Sequence, residues 1–101
     1  MYKRQALIKP QFEAGREQIG KKGIVKDKAI HEKVIQKVVD FALDYGFTVK
    51  GLDFSPIQGG HGNIEFLAYL VKSQRPEGLA PQTIQEVITK AHKEFEKHEK
   101  E

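Results

Sequence analysis

Apolar residues fall along this chain in five groups, and their spacing predicts strand, helix, strand, strand, helix. Ala6-Leu7-Ile8, running into Lys9-Pro10, reads as a short buried strand closed by a residue with no N–H for a sheet ladder. From Gln11 to Lys26 the chain is polar and broken by Gly15, Gly20 and Gly23, which predicts a loop. A loop that long in a small domain is functional or mobile. Asp27 is a candidate cap for a helix in which Ile30, Val34, Val38 and Ala42 recur every four residues. Ile35, Val39 and Leu43 form a second row beside them, and Gly46 stops the helix. Phe47 to Phe54 reads as a strand closed by Ser55-Pro56, and Gln58 to Asn63 as a turn cluster. Ile64 to Val71 is a nearly continuous apolar run, the kind covered on both faces. After a linker from Ser73 to Ala80, Ile84, Val87, Ile88, Ala91 and Phe95 lie on one face of a helix opening at Pro81.

This order constrains the topology. Two strands joined by a helix should be parallel, with a right-handed crossover. The second and third strands, joined by a Gly-rich turn, should be antiparallel neighbours. The third strand, the most apolar, belongs in the centre, which gives a mixed three-stranded α/β sheet with the third strand antiparallel and two main helices. The first strand is then left as an apolar edge with unpaired backbone groups and no charge before Lys9. Something upstream is expected to pair with it, or copies of the chain should self-associate through it.

Composition fits one soluble domain or part of one: 101 residues, 39% hydrophobic and 31% charged. No run of about 18 apolar residues is present to span a membrane, and no apolar stretch follows Met1-Tyr2-Lys3-Arg4 to make a secretory signal. With no cysteine there is no disulfide, thiolate metal site or cysteine nucleophile. A cytoplasmic location is the expectation. The net charge of +3 names no partner by itself. Its placement is uneven, however: Lys3, Arg4, Lys9, Arg16, Lys21, Lys22, Lys26 and Lys28 face only Glu13, Glu17 and Asp27 in the first 30 residues.

Lys9 and Glu65 are the first candidates for chemistry. Lys9 ends a parallel strand, where open α/β sheets bind their ligands. Glu65 begins an antiparallel neighbour, so the two should meet at one rim. A carboxylate inside an apolar run is costly unless it has a partner or faces a cleft; the plain alternative is a strand-end salt bridge of little worth. Gln11-Phe12-Glu13-Ala14-Gly15-Arg16 offers a guanidinium fork and an aromatic ring suited to a nucleotide, or is an ordinary polar loop. Gly20-Lys21-Lys22-Gly23 lacks phosphate-loop spacing, and Gly59-Gly60-His61-Gly62 is most simply a hairpin turn. The four histidines show no metal-ligand spacing and are expected on the surface. No serine triad and no Gly-x-Gly-x-x-Gly turn is present.

The segments Leu7 to Arg16, Gly23-Ile24-Val25-Lys26-Asp27, Gly51-Leu52-Asp53-Phe54-Ser55-Pro56-Ile57 and Gly62-Asn63-Ile64-Glu65-Phe66-Leu67 resemble the C-terminal part of the hemolysin-A-type (TlyA) proteins. These are FtsJ-like, S-adenosylmethionine-dependent ribosomal RNA methyltransferases. The resemblance covers roughly residues 5–72; the helix in residues 73–101 carries no matching motif. It implies the C-terminal half of a Rossmann-like methyltransferase fold, with residues 1–101 a single partial domain. An upstream half and an S4-like RNA-binding domain would belong to the parent.

The family methylates a ribose 2′-hydroxyl with a Lys-Asp-Lys-Glu tetrad. Lys9 matches its third member and Glu65 its fourth, whereas the first Lys, the Asp and the Gly-rich cofactor turn have no counterpart here. The resemblance thus implies Lys9 as the group that accepts or guides the hydroxyl proton, and Glu65 as the group that orients it. Arg16, Lys21, Lys22, Lys26 and Lys28 would contact ribosomal RNA phosphates. S-adenosylmethionine is expected in the parent and not on this chain alone, which is expected to be inactive. A non-catalytic RNA-binding or scaffold module reusing the fold is the alternative. The hemolysin name also raises membrane lysis, for which the sequence offers neither a spanning segment nor a basic membrane-binding helix.

Overall fold

The computed structural model describes residues 3–13, 25, 27–58 and 62–99. Its elements are β1 (Lys3–Ile8), α1 (Pro10–Glu13), α2 (Lys28–Asp44), β2 (Phe47–Phe54), β3 (Phe66–Lys72) and α3 (Pro81–Glu99). The sheet order is β1-β3-β2, with β3 antiparallel to both neighbours. β1 and β2 therefore run parallel across a central β3, as the strand–helix–strand order predicts, although every hydrogen-bonded pair is antiparallel. The α/β architecture and the central third strand agree with the pattern of the sequence.

The core lies on one face of the sheet. Ile8, Phe66, Ala68, Leu70 and Val49 point inward, and Val34, Ile35, Val39 and Ala42 of α2 pack onto them. Ile84, Ile88, Ala91 and Phe95 of α3 complete the cluster. Asp27 caps α2 by accepting from Ala29 N at 2.8 Å. At the other end Gly46 takes φ +82°, which a side chain would resist, and its N–H bonds Leu43 O at 3.0 Å. The Lys72 ammonium donates to Tyr45 O, an orphan carbonyl at that helix end.

Several expectations are corrected. β1 begins at Lys3 rather than Ala6, so its edge carries Lys3 and Arg4 and is not free of charge. The polar segment after it opens with one helical turn, Pro10–Glu13, because proline suits the first helical position. β3 begins at Phe66, two residues later than the apolar run; Glu65 still contributes its carbonyl, which accepts from Ser55 N at 2.8 Å. That run predicted cover on both faces, yet Tyr69 and Leu7 on the outward face are 46% and 49% exposed, since both long helices pack on the other side. The linker is also structural: Val49 N donates to Glu77 O at 2.9 Å and Glu77 N to Thr48 Oγ1 at 3.0 Å, which covers the outer edge of β2.

Ile35 of α2 is fully buried in the core that α2 shares with the sheet and α3. Ile35→Ala should lower the free energy of unfolding by about 2–5 kcal/mol, and Ile35→Val by about 0.5–1.5 kcal/mol. Denaturant titration of the two variants beside the parent checks the series; equal losses would contradict the packing described.

Candidate active site

β1 and β3 are paired in strict register, ending with Ile8 opposite Phe66. The next residue outward on each strand is Lys9 on one and Glu65 on the other, so both stand at the same rim of the sheet. This is the C-terminal end of β1, where a strand stops donating and the chain turns. Pro10, itself buried, begins that turn, and Phe12 N closes it by donating to Lys9 O at 2.9 Å. The Lys9 ammonium lies 5.8 Å from the centre of the Phe12 ring, within reach of a cation–π attraction.

Glu65 is only 8% exposed. A buried carboxylate needs donors, and Gln11 supplies one: its Nε2 donates to Glu65 Oε2 at 2.8 Å. The approach to Glu65 is held by Asn63, also buried, whose Oδ1 accepts from Val25 N at 2.9 Å. The chain just ahead of α2 is thereby tied to the segment that delivers Glu65. An open groove of about 420 Å³ is lined by Phe12 of this turn and by Lys37, Val38 and Phe41 of α2.

Below the rim sits a histidine pair that overturns the expectation of surface histidines. His31 is fully buried in α2, edge-on to Phe66 at 5.5 Å between ring centres. Its Nε2 lies 2.9 Å from Val25 O and its Nδ1 2.7 Å from His92 Nε2. A carbonyl only accepts, so the neutral ring carries its proton on Nε2, and His92 Nε2–H donates to the bare Nδ1. Burial, with His92 adding to it, lowers the His31 pKa from 6.5 to about 4, against the opposing Val25 carbonyl and Asp27. His92 is lowered as well, by burial first and then by Lys28, with Glu96 and Asp27 opposing.

The structure thus brings Lys9 and Glu65 to one rim and adds Gln11, Asn63 and His31, to which the sequence reading gave no role. A signal for His31 existed: it precedes Val34 and Ile35 by three and four residues, on the apolar face of α2. Lys28 is the exposed first residue of α2, whereas Arg16, Lys21, Lys22 and Lys26 lie outside the described residues, as does most of the Gly59-Gly60-His61-Gly62 turn. Among the described residues no cluster of three or more metal-ligating side chains occurs, and no helix is long and apolar enough to cross a membrane.

Comparison with known proteins gives concordant matches. Residues 2–72 match the family model of the FtsJ-like methyltransferases. YqxC of Bacillus subtilis (strain 168), provisionally named an rRNA methyltransferase, is 50% identical over 91 residues, covering 87% of this chain and 32% of its own length. The 16S/23S rRNA (cytidine-2′-O)-methyltransferase TlyA of Mycobacterium tuberculosis is 31% identical over 85 residues, 84% of this chain and 31% of its own. A solved structure from Streptococcus thermophilus, provisionally named a hemolysin, superposes with a TM-score of 0.92 at 65% identity, covering 98% of this chain and 36% of that one. The chain spans about a third of the length of the curated relatives it matches.

The histidine pair makes stability depend on pH. Folding holds His31 below its unfolded value, so between pH 6.5 and about 4 the unfolded chain binds the extra proton. The His31 contribution is whole above pH 6.5 and is lost as pH falls towards about 4. Thermal unfolding across that window should show falling Tm on acidification, with a shallower slope in His31→Gln, which keeps a donor for Val25 O without titrating. An unchanged slope in the variant would contradict the assignment.

Proposed function

The chain belongs to the FtsJ-like methyltransferase family, and from that premise we propose that it is the substrate-facing, C-terminal part of a ribosomal RNA 2′-O-methyltransferase. The observation that carries the proposal is the register that sets Lys9 and a buried Glu65 at the same rim, the C-terminal end of β1. Open α/β sheets bind their ligands at this end, and a curated relative bears the name of a cytidine 2′-O-methyltransferase.

A ribose hydroxyl is a poor nucleophile until its proton leaves. Lys9 accepts or guides that proton, and Glu65 holds the lysine or the ribose in line, so that positioning supplies much of the rate. The family takes its methyl group from S-adenosylmethionine. The sequence of this chain carries no Gly-x-Gly-x-x-Gly turn for that cofactor. We assign the cofactor pocket to the upstream half of the parent and the hydroxyl side of the reaction to this chain. The isolated chain is then inactive. The upstream half docks along the open edge of β1, over the groove of about 400 Å³ lined by Ala6, Val38, Phe41 and Leu70. The basic residues from Arg16 to Lys28 meet the RNA phosphates, and the protein works in the cytoplasm, where its ribosomal substrate is.

In the full-length protein, Lys9→Ala should cost on the order of 10²–10⁴-fold in methyl transfer while leaving cofactor affinity nearly intact. Glu65→Ala should cost less, since water partly replaces an orienting group. Lys9→Arg should not rescue, because a guanidinium keeps its proton. Single-turnover methylation with cofactor binding measured in parallel checks this; near-normal turnover in Lys9→Ala would leave a strand-end lysine and favour a scaffold role. A second prediction concerns the exposed edge. The 101-residue chain alone should self-associate or unfold at low stability. Sedimentation showing a stable monomer over a wide concentration range would count against it.

A further inference from the structure

Gln11 stands at the same rim and is held in an unusual way. Its amide donates to Glu65 Oε2 at 2.8 Å, while its own Oε1 is buried and accepts no hydrogen bond. An amide can turn end for end, and turning this one would set its carbonyl against a carboxylate. The orientation is therefore dictated by Glu65, and the stranded carbonyl is what that orientation costs. The residue is delivered there by the turn that follows β1, which Pro10 starts and the Phe12 N to Lys9 O bond closes. One short turn thus places Lys9 at the rim and sends Gln11 across to the carboxylate of Glu65, just ahead of β3.

We infer that Gln11 is a positioning residue for methyl transfer, acting through Glu65 by holding its Oε2 so that the other carboxylate oxygen is presented to the ribose and to Lys9. The inference rests on the catalytic reading of Glu65 given above. A structural glutamine would affect folding and substrate binding alike. A positioning glutamine acts on the chemical step and has nothing left to act on once Glu65 is gone.

The test is a double-mutant cycle in the full-length protein with Gln11→Met, which is close in size but cannot donate, Glu65→Ala, and the pair together. Gln11→Met should lower single-turnover methylation about 10- to 100-fold, the range spanned by loss of a hydrogen bond to a charged group. KM for the RNA and cofactor affinity should stay near the parent values. In the Glu65→Ala background the same change should cost little more. Side-chain amide NMR supplies a readout independent of turnover: the Gln11 Hε2 signals should be displaced by the hydrogen bond and return to free-amide positions in Glu65→Ala. Where Gln11→Met does not fold, Gln11→Asn, whose amide is too short to span the gap, should give the same loss. Full turnover in a folded Gln11 variant with Glu65→Ala impaired would overturn the inference, and so would losses that simply add. Parent-level turnover in Glu65→Ala would instead sink the catalytic reading, and the inference with it.

Discussion

Ile8 and Phe66 form the last rung of the ladder between β1 and β3, and both side chains are buried almost completely in the core. That rung fixes the rest. Slipping the register by one residue would send Ile8 to the outward face and bring Leu7, now half exposed, inside. Burial of two large apolar side chains, worth about 1.5–3 kcal/mol each, therefore sets the register. The register in turn sets which residues emerge at the rim. Lys9 and Glu65 stand at one rim because they are the first residues beyond a pairing that the core will not let move.

The same economy appears on the α2 side of the rim. His31 lies in the apolar row of α2, yet its ring bonds Val25 O on one side and His92 on the other. Val25 N reaches Asn63, two residues before Glu65. A buried polar chain of this kind is costly when incomplete, so it holds α2, α3 and the segment entering β3 in one arrangement. The segment that delivers Glu65 is thus tied down by Asn63, and the carboxylate itself is held from the β1 side by Gln11. The corner joins parts of the chain that are far apart in sequence.

Much of this was legible in the order of apolar groups. The four-residue repeat from Ile30 to Ala42 gave α2, Gly46 its end, and the dense run to Val71 the central strand. Lys9 and Glu65 could be brought to one rim from topology alone, because antiparallel neighbours set the start of one strand against the end of the other. Gln11, Asn63 and His31 could not be ranked that way, since their partners, Glu65, Val25 and His92, are set by tertiary packing. The charged start of β1 was hidden because Lys3 and Arg4 stand on an edge strand, where exposure rather than hydrophobicity decides composition. The half-open outer face was hidden because the apolar pattern of Leu67, Tyr69 and Val71 is the same whether or not anything covers it.

The central claim is that this rim is where a ribose hydroxyl is prepared for methyl transfer. It is tested most directly by the structure of the full-length protein bound to its RNA. The account predicts a ribose 2′-oxygen within hydrogen-bond reach of Lys9 Nζ, about 2.6–3.2 Å, with Glu65 in contact with the same ribose or with the lysine. RNA seated in a closed complex with every ribose well beyond that reach of Lys9, or at the opposite end of the sheet, would contradict it.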